Sequence, residues 1–435
     1  AGTTRRLVKE ADQRCWNLVE MTVLSLLGHG GQHSLVPLLL IVLVTPSYSF
    51  QPLLQPSSLL RKTLVSSAKA PRSSCRLASS LRAANDFSKY SVTKVECYRD
   101  GVAQVREHNH RLVSHFQHLR KQEYFRLFAV DLLSSCTYMP TADMPCEMDR
   151  CEIESAEDVR EDLRIRDAKE HSFRLDGWVR WDMPGDFTEY YDIYEEGERY
   201  TGYDGKRVWD FIHDRICFQV EVDDPENAWK RDFNRAVSGL HTSVSSHVLL
   251  SMRETEGLTE EQEMAEYQRR IAQVPEAVGN LYFAYMIMLC AIQHASNRLN
   301  NCSYMGAKEE VLPSITAVTG DPLLTHPAVQ KAAQAMRNHA RSPSAKVWKA
   351  RLRTRDLLGI MNCVQCNLCR LHGKVASLGL AVALGVLLGN EGEGGNVEDL
   401  HRVEIAALIS QAAKFANAVE YVNSMERKLA AAAKV

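Results

Sequence analysis

The 435-residue sequence has no surplus of charge of either sign, since 52 Lys and Arg stand against 54 Asp and Glu. No global field therefore draws the chain to nucleic acid, and no nucleic-acid partner is expected. A G-x-G-x-x-G motif after a strand is missing too, so a dinucleotide would not be held on a Rossmann crossover. Internal repeats and long linkers are absent, and the Gly-rich stretch 389–395 is the one interruption of the C-terminal part. Acidic residues are wanting altogether from Met21 to Asn85. That bias separates residues 1–85 from 86–435, whose composition is that of one folded domain.

Residues 35–44 read LVPLLLIVLV and are followed by Ser47-Tyr48-Ser49, a small-x-small pattern suited to signal-peptide cleavage. Ten apolar residues interrupted by Pro37 are too few to span a bilayer. No Lys or Arg lies between Met21 and that run, and residues 51–84 are rich in Ser, Leu and Arg, as in an organelle transit segment. Residues 1–85 therefore read as a leader, either a plain secretory one or a two-part leader for another membrane-bounded organelle. The sequence ends in AAAAKV, which is not a K-D-E-L type retention signal.

Helical periodicity is clear in 105–130, 229–252, 281–297, 366–388 and 397–434. The expected fold is mainly α, a single-domain helical bundle with a short β-hairpin and long loops. Residues 172–194, with Trp178, Trp181, Phe187, Tyr190 and Tyr191, are the best candidate for the strand pair, with Pro184-Gly185 as its turn. The run AVALGVLL at 381–388 is apolar nearly all round and marks a helix at the centre of the bundle.

Twelve cysteines are many for a reducing compartment, and they fall into two distant groups: Cys136, Cys146, Cys151 and Cys363, Cys366, Cys369. With His372, the C-x-x-C-x-x-C run offers four potential metal ligands. On a continuous helix these positions step round through about 180° and cannot converge on one ion. The same geometry suits a disulfide between Cys366 and Cys369 on neighbouring turns, leaving Cys363 in need of another partner. A thiol at a helix N-terminus is acidified by the helix dipole and exchanges readily, although a purely structural bridge has the same spacing. Cys146 and Cys151 lie in a polar segment that should be exposed; they could form a simple loop clamp or the outer half of a thiol relay.

Several further motifs point the same way: Tyr124-Phe125-Arg126, Glu198-Arg199-Tyr200-Thr201-Gly202-Tyr203, Ser238-Gly239-Leu240-His241, Asn280-Leu281-Tyr282-Phe283, and Arg370-Leu371 after the cysteine triplet. In order and spacing, from about residue 121 to 384, they resemble the endoplasmic reticulum oxidoreductin family, the Ero thiol oxidases. The resemblance implies that Cys366 and Cys369 form an inner redox pair beside a flavin, with Cys369 the nearer. It implies that Cys146 and Cys151 form a shuttle pair taking electrons from protein disulfide isomerase or another thioredoxin-fold protein. It also implies a structural disulfide between Cys136 and Cys363. The family's FAD-binding positions fall on Arg199, Thr201, Trp209, Ser238, His241 and Arg270, with the cofactor held between helices and no metal.

The activity so implied is FAD-dependent oxidation of an isomerase, with electrons passed to molecular oxygen to give hydrogen peroxide, in the endoplasmic reticulum lumen. Peripheral membrane association is left open. Two departures motivate an alternative, a noncatalytic disulfide-stabilised binding protein on the same fold: Ala277 stands where the family usually has a second arginine, and His372 where it has a tryptophan. Cys217 matches a family cysteine whose nearby partner is absent here.

Overall fold

The computed structural model describes residues 98–138, 153–170, 189–196, 206–219, 228–300, 308–340, 345–364, 366–389 and 400–433. Its main helices are α1 (Arg99–Lys121), α2 (Lys206–Ile216), α3 (Ala228–Glu256), α4 (Pro275–His294), α5 (Pro327–Ala340), α6 (Ala345–Ile360), α7 (Asn367–Leu388) and α8 (Arg402–Ala432). Helix α4 starts on a proline at its first turn, where a missing N–H costs nothing, and continues as an apolar run with nearly every side chain buried. A helix apolar all round must sit inside the bundle, and α3, α5, α7 and α8 pack around it. Helix α8 opens with a reciprocal cap in which the His401 amide donates to Glu404 at 2.8 Å.

Close approach of α3 to α4 depends on Gly239. A Cβ there would lie 2.2 Å from the Asn280 carbonyl oxygen, which no side chain tolerates. Gly379 does the same between α7 and α8, where a Cβ would meet the Ala407 carbonyl at 2.5 Å. Residues Glu276–His294 and Asn367–Leu388 are long and apolar enough to cross a membrane, yet both are core helices covered by their neighbours.

The mainly α fold and the bundle hold, and two boundaries differ from the sequence reading. The helix expected over 105–130 ends at Lys121, because Gln122 turns extended (φ −75°, ψ 136°). One short turn follows, and the apolar run Leu127–Val130 becomes strand β1. Its partner is β2 (Glu189–Asp192), antiparallel, with Leu127 opposite Asp192 and Val130 opposite Glu189. The strand signal of 172–194 is thus met at its end, but the second strand comes from far away in sequence; Pro184-Gly185 lies outside the described residues. Burial on both faces explains why LFAV lacks the alternation of a half-exposed strand.

One buried ion pair ties these parts together. The Arg402 guanidinium, 0% exposed, makes a two-pronged contact with Asp167 at 2.8 and 2.6 Å. Its remaining nitrogen donates to the Tyr124 and Leu127 carbonyls, both at 2.7 Å, and Tyr190 donates to Asp167 at 3.0 Å. The N-terminus of α8, the helix Glu161–Glu170 and both strands therefore meet on one charge pair.

Candidate active site

Helix α6 runs into a tight turn, Met361–Cys363, after which Val364 is extended and Cys366 becomes the N-cap of α7 (φ −67°, ψ 116°). The cysteine triplet is therefore not on one continuous helix, as the spacing argument supposed. Cys363 ends one helical segment, Cys366 caps the next, and Cys369 lies in its first turn. The Cys366 Sγ accepts a hydrogen bond from the Cys369 amide at 3.4 Å, filling the role usually given to a serine or aspartate oxygen. Cys366 and Cys369 are both 0% exposed.

Cys363 is bonded to Cys136 across 227 residues of sequence (S–S 1.99 Å, Cα–Cα 4.5 Å). A sulfur held in a disulfide is not a thiolate ligand, which removes one member of the four-ligand metal set. A second member is engaged as well: His372 is 1% exposed, and its Nε2 donates to the Glu196 carbonyl at 2.8 Å. The ring that replaces the family's tryptophan is thus accommodated as a buried, hydrogen-bonded side chain.

Cations gather at this helix start. The Arg370 Nε donates to the Val364 carbonyl at 2.8 Å and another of its nitrogens to the Leu132 carbonyl, while Lys374 donates to the Asp131 carbonyl. Burial pulls the Arg370 guanidinium below its ordinary range, and the charges of Asp131 and Cys366 oppose that shift. The helix N-terminus and Arg370 both favour negative charge on Cys366. Arg370 was legible in the cysteine motif, but its role as a clamp on the segment between β1 and Cys136 was not.

A second cluster lies between α2 and α3. The rings of Trp209 and His241 stack with centroids 4.2 Å apart at 14°, and His213 sits 5.7 Å from His241. Burial, with a smaller contribution from His213, pushes the His241 imidazole down to about 3, so it is neutral near pH 7. Trp209 is 2% exposed, and its indole N–H has no hydrogen-bond partner among the described residues; neither has the buried Nε2 of His213. The Nδ1 of His213 lies 3.3 Å from the Cys217 sulfur, a contact that nothing in the sequence signalled. Next to Gly239, Ser238 accepts a hydrogen bond from Asn280 at 3.0 Å.

Arg270 lies in a π-helical turn, Gln268–Ala272, that packs against α3 and α4, and it pairs with Glu266 at 3.2 Å. Such single-turn bulges often occur at functional sites. Ala277 is buried on α4, where its carbonyl accepts from Thr242 at 3.1 Å. Of the residues singled out from the sequence, the structure groups Trp209, Ser238 and His241 on α2 and α3, and Cys363, Cys366 and Cys369 around the start of α7. Cys146, Cys151, Arg199 and Thr201 lie outside the described residues.

The family model described as Endoplasmic Reticulum Oxidoreductin 1 (ERO1) matches residues 111–422, well over half of the chain. The chain belongs to the ERO1 family. This makes it an oxidoreductin, and Cys363, Cys366 and Cys369 lie within the matched span. Among ERO1 relatives, Endoplasmic reticulum oxidoreductin-1 of Arabidopsis thaliana is 28% identical over 356 residues, covering 71% of this chain and 74% of the relative. ERO1-like protein alpha of Homo sapiens is 26% identical over 434 residues, covering 79% and 92%. A crystal structure of Ero1p carrying two cysteine-to-alanine substitutions superposes with a TM-score of 0.57 at 24% identity, covering 76% of this chain and 99% of that one. That likeness establishes the ERO1 fold.

Proposed function

We propose that this ERO1 protein is an FAD-dependent thiol oxidase of the endoplasmic reticulum lumen. It oxidises protein disulfide isomerase, or another thioredoxin-fold protein, and passes the electrons to oxygen to give hydrogen peroxide. The observation that carries the reading is the placement of Cys366 and Cys369: both fully buried, at the N-terminus of an apolar core helix, beside Arg370. A pair at a helix N-terminus and shut off from solvent suits exchange with an internal carrier rather than with a folded substrate. A related protein is described as the source of disulfide bonds for oxidative protein folding in the cell, in keeping with that role.

The relay balances in thiols. A partner thiolate attacks the Cys146–Cys151 disulfide, a mixed disulfide forms, and the partner's second thiolate resolves it. The partner leaves as a disulfide, and Cys146 and Cys151 leave as a dithiol. That dithiol reduces a Cys366–Cys369 disulfide by the same exchange, moving two electrons and two protons inward. The amide of Cys369 and the guanidinium of Arg370 stabilise negative charge on Cys366 as it is released.

The residues between α2 and α3 fit a flat cofactor with polar edges. The Trp209 and His241 rings offer stacking faces, and the unpartnered indole N–H and His213 Nε2 are buried polar atoms waiting for an acceptor or donor. Ser238 and, by the family resemblance, Thr201 would add neutral hydrogen bonds. Arg270 and Arg199 would fork onto the pyrophosphate, with Arg270 exchanging its Glu266 partner. When bound, FAD supplies what no side chain can, taking an electron pair from a thiolate and returning it to oxygen.

The relay is tested by separating its two pairs. In Cys146→Ala, oxygen uptake driven by reduced protein disulfide isomerase should be lost while uptake driven by a small dithiol persists. Equal loss with both donors would sink the two-pair scheme.

A further inference from the structure

Between Pro322 and Arg355 the sequence carries eight Lys and Arg and no Asp or Glu, in a chain whose overall net charge is −2. Helix α6 closes this stretch. Its residues Ala350, Thr354, Leu357 and Ile360 are buried against the bundle, while Trp348 is 51% and Leu352 37% exposed. Four residues apart, these two stand about 40° from each other on the helix, so they form one outward apolar patch. Arg355 follows Trp348 by two turns on the same side, and exposed Lys349 lies on the flank. Arg353 is turned away, over the Phe218 ring at 5.1 Å. The one acid of the helix, Asp356, is already engaged by Arg215 and by the Tyr138 hydroxyl, each at 3.1 Å. The exposed face is therefore a tryptophan and a leucine in a cationic frame.

The position of this face matters as much as its chemistry. The C-terminal half of α6 holds the segment that follows Cys136: Tyr138 donates to Asp356, and its ring packs so closely over Gly359 that a Cβ there would lie 2.6 Å from it. Trp348 is eight residues before Asp356, about 12 Å along the helix. Cys146 is eight residues beyond Tyr138 in sequence, a reach of at most about 28 Å. A thioredoxin-fold domain is roughly 30 Å across. A domain of that size whose active-site sulfur engages Cys146 can cover Trp348 as well.

Resting on the relay proposed above, we infer that the Trp348–Leu352 face of α6 is the docking surface for the thioredoxin-fold partner, recognising an apolar patch rimmed by acidic side chains. Half-exposed tryptophan is the residue type that most often anchors such contacts, and flanking cations steer an acidic partner in at a rate that falls with salt. The patch holds two apolar side chains, too small a face for stable burial in a lipid interface, which favours a protein partner over a membrane.

The test uses the full chain and two variants, Trp348→Ala/Leu352→Ala and Lys349→Glu/Arg355→Glu, each checked by circular dichroism. Surface plasmon resonance with reduced protein disulfide isomerase reads binding without turnover. The apolar variant should raise Kd about tenfold, and the charge variant should slow association and abolish its salt dependence. Oxygen uptake driven by dithiothreitol should be unchanged in both. Unaltered Kd and association rate in both variants overturn the inference, as does isomerase binding that stays intact while binding to phosphatidylserine vesicles is lost. Failure of the relay itself would look different: binding still sensitive to the two variants, with no oxygen uptake from any donor.

Discussion

Removing Asp167 should destabilise the fold more than its position in a short, highly charged helix suggests. The Arg402 guanidinium is 0% exposed and Asp167 5%, so the charge left behind in Asp167→Ala has no water to turn to. An exposed ion pair is worth at most about 1 kcal/mol, whereas breaking a buried one costs about 3–5 kcal/mol. Against a total stability of about 5–15 kcal/mol, that is about a fifth or more of the fold. The double variant Asp167→Ala/Arg402→Met removes the stranded charge and should regain part of the loss. It should not regain all of it, because the Tyr124 and Leu127 carbonyls then lose their donor, at about 1 kcal/mol or more each. Urea unfolding of the full chain, followed by far-ultraviolet circular dichroism, measures both differences. A loss under about 1 kcal/mol in Asp167→Ala, or a double variant worse than the sum of the two single ones, would refute the reasoning.

Two further outcomes follow from particular residues. The Cys136–Cys363 disulfide closes a loop of 227 residues, which on the chain-entropy model constrains the unfolded state by about 5 kcal/mol, so Cys136→Ala/Cys363→Ala should lower the urea midpoint sharply; an unchanged midpoint would remove the bridge from the account. His241 is held near 3 in the fold and titrates near 6.5 when unfolded, so between those values the unfolded chain binds the proton and stability falls as pH falls. His241→Phe should flatten the loss of stability between pH 7 and pH 4.5, and slopes equal to the parent's would contradict that cause.

How much of this was legible in the sequence differs from element to element. The helices over 229–252, 281–297, 366–388 and 397–434 show themselves because long apolar periodicity is a strong signal, and α3, α4, α7 and α8 fall there. Helix α6 escaped notice: its five Lys and Arg are interspersed among its apolar residues and blur any apolar stripe, and only the structure shows which of them face the bundle. Strand β1 was absorbed into a helix because LFAV is apolar on both faces and its partner lies some sixty residues on. The cysteine triplet drew attention to the start of α7, but its three-residue spacing hid the change from one helix to the next at Val364. Arg402 gave no sign of burial, since an arginine at a helix start looks the same whether it meets water or Asp167.

The central claim is tested most directly by oxygen consumption of the purified full chain given reduced protein disulfide isomerase, with Cys366→Ala beside it and the flavin spectrum recorded for both. The account requires a yellow protein that consumes oxygen and forms hydrogen peroxide, and a yellow Cys366→Ala variant that does neither. A colourless parent, or oxygen uptake undiminished in Cys366→Ala, would contradict it.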